Sequence, residues 1–248
     1  MSYNRESSRD RVDDMLSSKT EIVKKDSIPS NDDEFTYANG IKAWVGAIFI
    51  DMVGSSELCK SADEKTARIF RAFCSEIIAI LKDDPNYRQI GIRGDCVYSI
   101  NSTPDKSDLV EMFNTAVKIH TFMKMFRKLL EKHGYPIIRA GIGLGCSYDL
   151  IVKAGQNGSG INDKIWIGKA VVDASHLGDT ANRNGINPIA MSPLFYDNVY
   201  ELLEKENANY KSWIKPYKSH SYGYYASTEF YHCDIIFTDF DRWINENV

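Results

Sequence analysis

Two acids in this chain of 248 residues stand where a carboxylate is costly unless something binds it. The first lies in Ala47-Ile48-Phe49-Ile50-Asp51-Met52-Val53-Gly54-Ser55-Ser56, an apolar run with one charge that closes on Gly-Ser-Ser. Such a run suits a strand covered on both faces; Gly54 lets the backbone turn sharply and Ser55 can cap a following helix. Asp51 then sits at the strand's C-terminal end, where its desolvation calls for a cation or several hydrogen-bond donors. The second acid lies in Gln89-Ile90-Gly91-Ile92-Arg93-Gly94-Asp95-Cys96-Val97-Tyr98-Ser99-Ile100, two strand-like segments flanking a Gly94-Asp95 turn. Two carboxylates delivered by adjacent strands are what a two-metal phosphoryl-transfer site requires.

The elements that must hold them follow in order. A core strand is expected over Ile41 to Val53. Next comes a helix opened by the capping-box pattern Ser61-Ala62-Asp63-Glu64, with Ile69, Phe70, Phe73, Ile77 and Leu81 at helical spacing. After the hairpin from Tyr87 to Ile100, Ser107-Asp108 opens a long helix to about His133, whose Leu109, Phe113, Val117, Phe122 and Phe126 form a core stripe. Ile137 to Gly145 reads as a strand whose Gly141, Gly143 and Gly145 permit close backbone approach; without a strand-turn-helix context, G-x-G-x-G is a weak phosphate signal. A hairpin tip over residues 155–160 leads into a strand ending at Gly168, then a helix from about Lys169 to Thr180, a short strand near Pro188 to Met191 and a helix from Pro193. The aromatic tail from Tyr210 is expected to close the sheet with one or two strands. The segment from Met1 to Ala38, rich in Ser, Asp, Lys and Arg, is expected to be mostly disordered, leaving residues 39–248 as one α/β domain with helices packed on a mixed sheet.

Bulk properties exclude several classes. With 43% hydrophobic and 26% charged residues the chain is an ordinary globular protein, and a net charge of -4 gives no support to a general nucleic-acid binder. No apolar stretch approaches the ~20 residues that span a bilayer, and the N-terminus has no signal-peptide core, so a cytoplasmic protein without membrane insertion is expected. The five cysteines are scattered, odd in number and without C-x-x-C spacing, which suits reduced core thiols. His232-Cys233-Asp234 is not a metal cluster if it lies in a strand, because adjacent residues there face opposite ways.

Taken in order, Phe49 to Ser56, Arg93-Gly94-Asp95 and Trp166-Ile167-Gly168-Lys169-Ala170-Val171-Val172-Asp173-Ala174-Ser175 resemble the class III nucleotidyl cyclase catalytic domain, over about Lys42 to Asn207. The resemblance implies a ferredoxin-like palm fold of the α+β kind, a head-to-tail homodimer and sites built from both subunits. It implies that Asp51 and Asp95 bind two divalent ions, Mg²⁺ or Mn²⁺, with the carbonyl of Met52 completing one coordination sphere. The reaction implied is attack of a nucleoside triphosphate's ribose 3′-hydroxyl on its α-phosphorus with loss of pyrophosphate. The turn from Val53 through Gly54, Ser55 and Ser56 can offer backbone N–H groups to phosphate oxygens.

Departures from the family pattern sharpen this reading. The base-reading position four residues before the second metal acid, Lys or Glu in purine cyclases, holds Gly91. Its companion three residues before Gly168 holds Ile165. Neither can hydrogen-bond a purine edge through its side chain, and base selectivity depends on such contacts. The chain therefore resembles more closely the bacterial pyrimidine cyclases of the Pycsar anti-phage system, whose cyclic CMP or cyclic UMP is read by a separate effector. Phe49 is a candidate pocket wall. Between CTP and UTP there is a slight lean to CTP without a residue-level reason. The ribose-orienting Asn is replaced by Val172 and the transition-state Arg by His176, so a purine cyclase with an unusual pocket and an inactive nucleotide- or partner-binding pseudo-cyclase are the alternatives. Arg183, seven residues after His176 and on its face if the helix persists, or Arg93, could restore the missing charge.

Overall fold

The run around Asp51 becomes an interior strand of the sheet, paired on both sides. The computed structural model describes residues 3–156, 159–219 and 228–248. Helix α1 (Arg5–Ser17) and strand β1 (Glu21–Lys24) lead to β2 (Asn39–Val53), α2 (Ser55–Leu58) and α3 (Glu64–Leu81). The hairpin β3 (Tyr87–Arg93) and β4 (Cys96–Ser102) precedes α4 (Lys106–Lys132), β5 (Arg139–Gly155), β6 (Asn162–Ile167) and α5 (Lys169–Thr180). The chain ends with β7 (Ile189–Met191), α6 (Pro193–Glu206), α7 (Tyr210–Trp213), β8 (Lys215–Ser219), β9 (Thr228–Cys233) and α8 (Thr238–Asn247).

Among the described residues these strands form one mixed sheet, ordered β3-β4-β2-β5-β7-β9-β8, with β1 beside the start of β2 and β6 on β5. β2 pairs antiparallel with β4 and β5 at once, so its backbone groups are bonded on both edges. Alternation along β2 then divides the core. Ile48, Ile50 and Met52 join the larger core beneath α3, α4 and α6, while Ala43, Val45, Ala47 and Phe49 face Ala170 and Ala174 of α5. Asp51, in phase with Phe49, belongs to the α5 side.

Why α5 lies so close to the sheet is visible at the strand beneath it. A Cβ on Gly143 would stand 2.0 Å from the Ala174 carbonyl oxygen, and one on Gly141 2.3 Å from that of Gly178. The G-x-G-x-G run is a helix-packing track, as its close-approach reading anticipates, and every atom it would strike is backbone.

Three expectations are corrected. The N-terminal segment is not disordered from Glu21 onward: β1 pairs parallel with Asn39 to Lys42, and Ile28 and Phe35 are buried beneath the α5-side core. Its backbone is tied down too, since Ile28 N–H donates to Ser102 Oγ (2.9 Å) and Arg88 Nε donates to the Ile28 carbonyl (2.9 Å). By contrast α1 buries no residue. Helix α3 is capped by Asp63, whose carboxylate accepts from Thr66 N–H at 2.8 Å, rather than by Ser61. Strand β5 runs on to Gly155, well past the expected Gly145. Asn157 and Gly158, within the expected hairpin tip, lie outside the described residues. No helix among the described residues is long and apolar enough to cross a membrane.

Candidate active site

β2 and β4 set the two acids side by side. Asp51 pairs with Cys96, and Asp95 is the residue before it, at the tip of a two-residue hairpin. Gly94 supplies the positive φ of 63° that such a turn needs. Burial pushes the Asp51 carboxyl up from its ordinary range, a hydrogen bond from Arg183 pulls it down, and the negative charge of Asp95 raises it again. Hard oxygen donors converging from two strand ends fit a divalent ion such as Mg²⁺ or Mn²⁺. The Met52 carbonyl lies beside them, because the same guanidinium that bonds Asp51 reaches it at 3.5 Å.

Arg183 is placed by a different route from the one its spacing suggests. Helix α5 ends at Thr180, and the chain turns extended at Ala181, so Arg183 does not share the helical face of His176. Instead it folds back. Its Nη1 donates to the Gly178 and Ala181 carbonyls at 3.1 Å each, and its Nη2 donates to Asp51 Oδ2 at 2.5 Å. The guanidinium thus caps the helix end and faces Asp51 of its own chain. His176 and Val172 lie exposed on the outer face of α5, and Arg93 is exposed at the end of β3.

The turn after Val53 forms as expected, with Gly54 at φ 81°, but Ser55 is the first residue of α2 and caps nothing through its side chain; Ser56 follows it. Phe49 stacks on Tyr98, with ring centroids 5.1 Å apart and planes 12° from parallel. Gly91 pairs with Tyr98, and a Cβ there would stand 2.5 Å from the phenol. On β6 the neighbour Trp166 packs on the Phe49 side, so by alternation Ile165 points to the opposite face, away from its own chain's acids.

Sequence reasoning gave Arg139 no role. It pairs with Val53 at the start of β5 and lines, with Arg183, Arg127, Lys124 and the loop from Asn182 to Pro188, a cavity of about 560 Å³. The signal available was its place at the opening of the glycine strand. Across the same cavity His120 Nε2 and Asp234 Oδ1 are 2.6 Å apart; His232 accepts from Asn187 N–H, and Cys233 is buried in the main core, so the 232–234 triplet splits three ways.

This geometry has close relatives. Over its whole length the chain is 39% identical to a uridylate cyclase of Treponema porcinum, covering 83% of that protein. The chain belongs to the uridylate cyclase family. A uridylate cyclase of Gulbenkiania mobilis is 28% identical over 99% of this chain and 97% of its own. The fold matches the crystal structure of the adenylyl cyclase CyaB of P. aeruginosa with a TM-score of 0.63, at 20% identity over 81% of this chain and 98% of that one. No family model matches the sequence. The nucleotidyl cyclase palm expected from the order of motifs is therefore the fold of this chain.

Proposed function

We propose that the protein is a pyrimidine nucleotide cyclase that converts UTP, in preference to CTP, to the 3′,5′-cyclic nucleotide and pyrophosphate. The observation that carries this reading is the convergence of Asp51 and Asp95 at the ends of two paired strands, in a chain whose full-length relatives are uridylate cyclases. The names of those relatives move the choice of pyrimidine from CTP to UTP. Asp51, Asp95 and the Met52 carbonyl would hold two divalent ions, Mn²⁺ or Mg²⁺. Bound there, the ions make the ribose 3′-hydroxyl more acidic and neutralise the triphosphate.

The chain's own groups do the rest. The 3′-oxygen bonds to the α-phosphorus as the bond to the departing pyrophosphate breaks, and the hydroxyl proton passes to water. Backbone N–H groups of Gly54, Ser55 and Ser56 and the guanidinium of Arg139 meet phosphate oxygens, while Arg183 balances the charge gathered at the leaving group. Phe49, with Gly91 and the segment around Ile165, bounds the base pocket. A homodimer brings His176 and the outer face of α5 to the partner's acids. The cyclic product serves as a second messenger of anti-phage defence, read by a separate cyclic-nucleotide-binding effector; no nucleic-acid or membrane partner is required.

The test is direct. Purified protein is incubated with each of the four nucleoside triphosphates and Mn²⁺, and products are identified by mass spectrometry; cyclic UMP is expected to dominate. Asp51→Ala and Asp95→Ala should each abolish cyclisation with the fold retained by circular dichroism. Either variant keeping more than about a tenth of the activity at saturating Mn²⁺ overturns the two-acid assignment.

A further inference from the structure

A polar relay lies on the sheet face that carries Asp51, further back along the strands, and none of its donors and acceptors is used by the mechanism above. Trp166 Nε1 donates to Gln89 Oε1 at 2.9 Å. An indole N–H can only donate, so this bond fixes the orientation of the Gln89 amide and turns its NH₂ the other way. There it meets Tyr98 Oη and Asp163 Oδ2, each at 3.4 Å. A carboxylate can only accept, which fixes the same orientation from the second side. The phenol oxygen of Tyr98 therefore receives a hydrogen. With its in-plane lone pair engaged, what the hydroxyl has left to offer a ligand is its proton.

The ring's position gives that proton a target. Tyr98 stands on the sheet face that carries Asp51: it pairs with Phe49, two residues along β2 from the acid, a step of about 7 Å along the strand. The Phe49 ring stacks on that of Tyr98 and is itself buried, so packing from beneath fixes where the phenol stands. Glycine at position 91 leaves the space the phenol occupies, since any side chain there would collide with the ring at 2.5 Å. Tyr98 is half-buried, and within the described residues the hydrogen bond at its oxygen is the one it accepts from Gln89.

We infer that Tyr98 is the residue that selects the base, its hydroxyl donating to the 4-carbonyl oxygen of uracil and its ring, packed into the space over Gly91, excluding two-ring bases. The inference rests on the reading of the protein as a UTP cyclase. Cytosine presents an amino donor at the same position, and a hydroxyl already committed as acceptor meets it donor to donor. Gln89 is a positioning residue: it acts on the base only by setting which way the Tyr98 hydroxyl faces.

The experiment measures kcat/KM for all four triphosphates with Mn²⁺ on wild-type homodimer and on Tyr98→Phe, Gln89→Leu and Tyr98→Ala, with melting temperatures recorded to check folding. Tyr98→Phe should lower the UTP-to-CTP ratio about five- to tenfold through loss of UTP turnover, the scale of one hydrogen bond. Gln89→Leu should lower the same ratio mainly by raising CTP turnover, because the hydroxyl becomes free to accept; a residue acting only on stability would move both substrates together. Tyr98→Ala should admit ATP and GTP, and only in that background should Gly91→Lys fold with wild-type melting behaviour. A wild type that makes no cyclic UMP sinks the functional reading itself. A wild type that makes cyclic UMP while Tyr98→Phe keeps the UTP-to-CTP ratio overturns the inference alone, as does equal tolerance of Gly91→Lys with and without Tyr98.

Discussion

Arg183 sits on the acceptors that a metal ion at this site would use. Its Nη2 reaches Asp51 Oδ2 and, more weakly, the Met52 carbonyl, the same pair of oxygens assigned to the ion. A divalent ion held there would compete with the guanidinium for Asp51. Arg183→Gln should tighten Mn²⁺ binding by about tenfold, the scale of one partly buried ion pair, while turnover falls because the charge at the leaving group is lost. Titration calorimetry of the nucleotide-free protein measures the first effect and initial rates the second; unchanged Mn²⁺ affinity would show that the pair does not guard the site. The acids were legible in the sequence because a lone carboxylate in an apolar run is anomalous on energetic grounds. Arg183 was suspected for its charge but given the wrong path, since a contact spanning 132 residues and made after the helix has ended leaves no trace in helical spacing.

Helix α5 owes its seat to the strand below it. Gly143→Ala would drive a Cβ to 2.0 Å from one backbone atom and 2.2 Å from another, neither of which can rotate aside. The variant should lose about 3 kcal/mol or more of stability, the upper end of overpacking costs, and the check is a urea melt against wild type. From sequence alone the glycines announced a close approach without saying which element approaches. The second half of β5 escaped notice because Ser147-Tyr148-Asp149 interrupts the apolar pattern with polar groups. Those groups are structural: Ser147 Oγ accepts from Lys169 N–H (3.0 Å) and Ala170 N–H (2.7 Å) at the start of α5 and donates to the buried Asp149. Burial raises the Asp149 carboxyl above its usual range, while its bond from Ser147 draws it down. Strand and helix are thus sewn together at the helix's first turn, which periodicity cannot express.

The whole molecule includes more of its N-terminus than composition suggested. Two apolar side chains, Ile28 and Phe35, and one short parallel strand tie residues 21–35 to the sheet. Parallel pairing to β2 is non-local, so a polar segment with few anchors looked unfolded when read by itself. At the scale of the assembly, the exposed outer face of α5 leads to the last prediction. Asp51→Ala protein mixed with a protein inactivated on that face, by Val172→Asp, should recover about a quarter of wild-type turnover when subunits exchange at random, because half the dimers then hold one complete site. Absence of recovery in dimers shown by mass to be mixed counts against shared sites. The glycine track also bears on how such a face can change over generations. Since backbone rests on backbone, main-chain radii alone set the height of α5 above the sheet. Substitutions such as Val172 and His176 alter what the helix presents while leaving where it is presented untouched, so its chemistry can be exchanged one residue at a time on an unmoving mount.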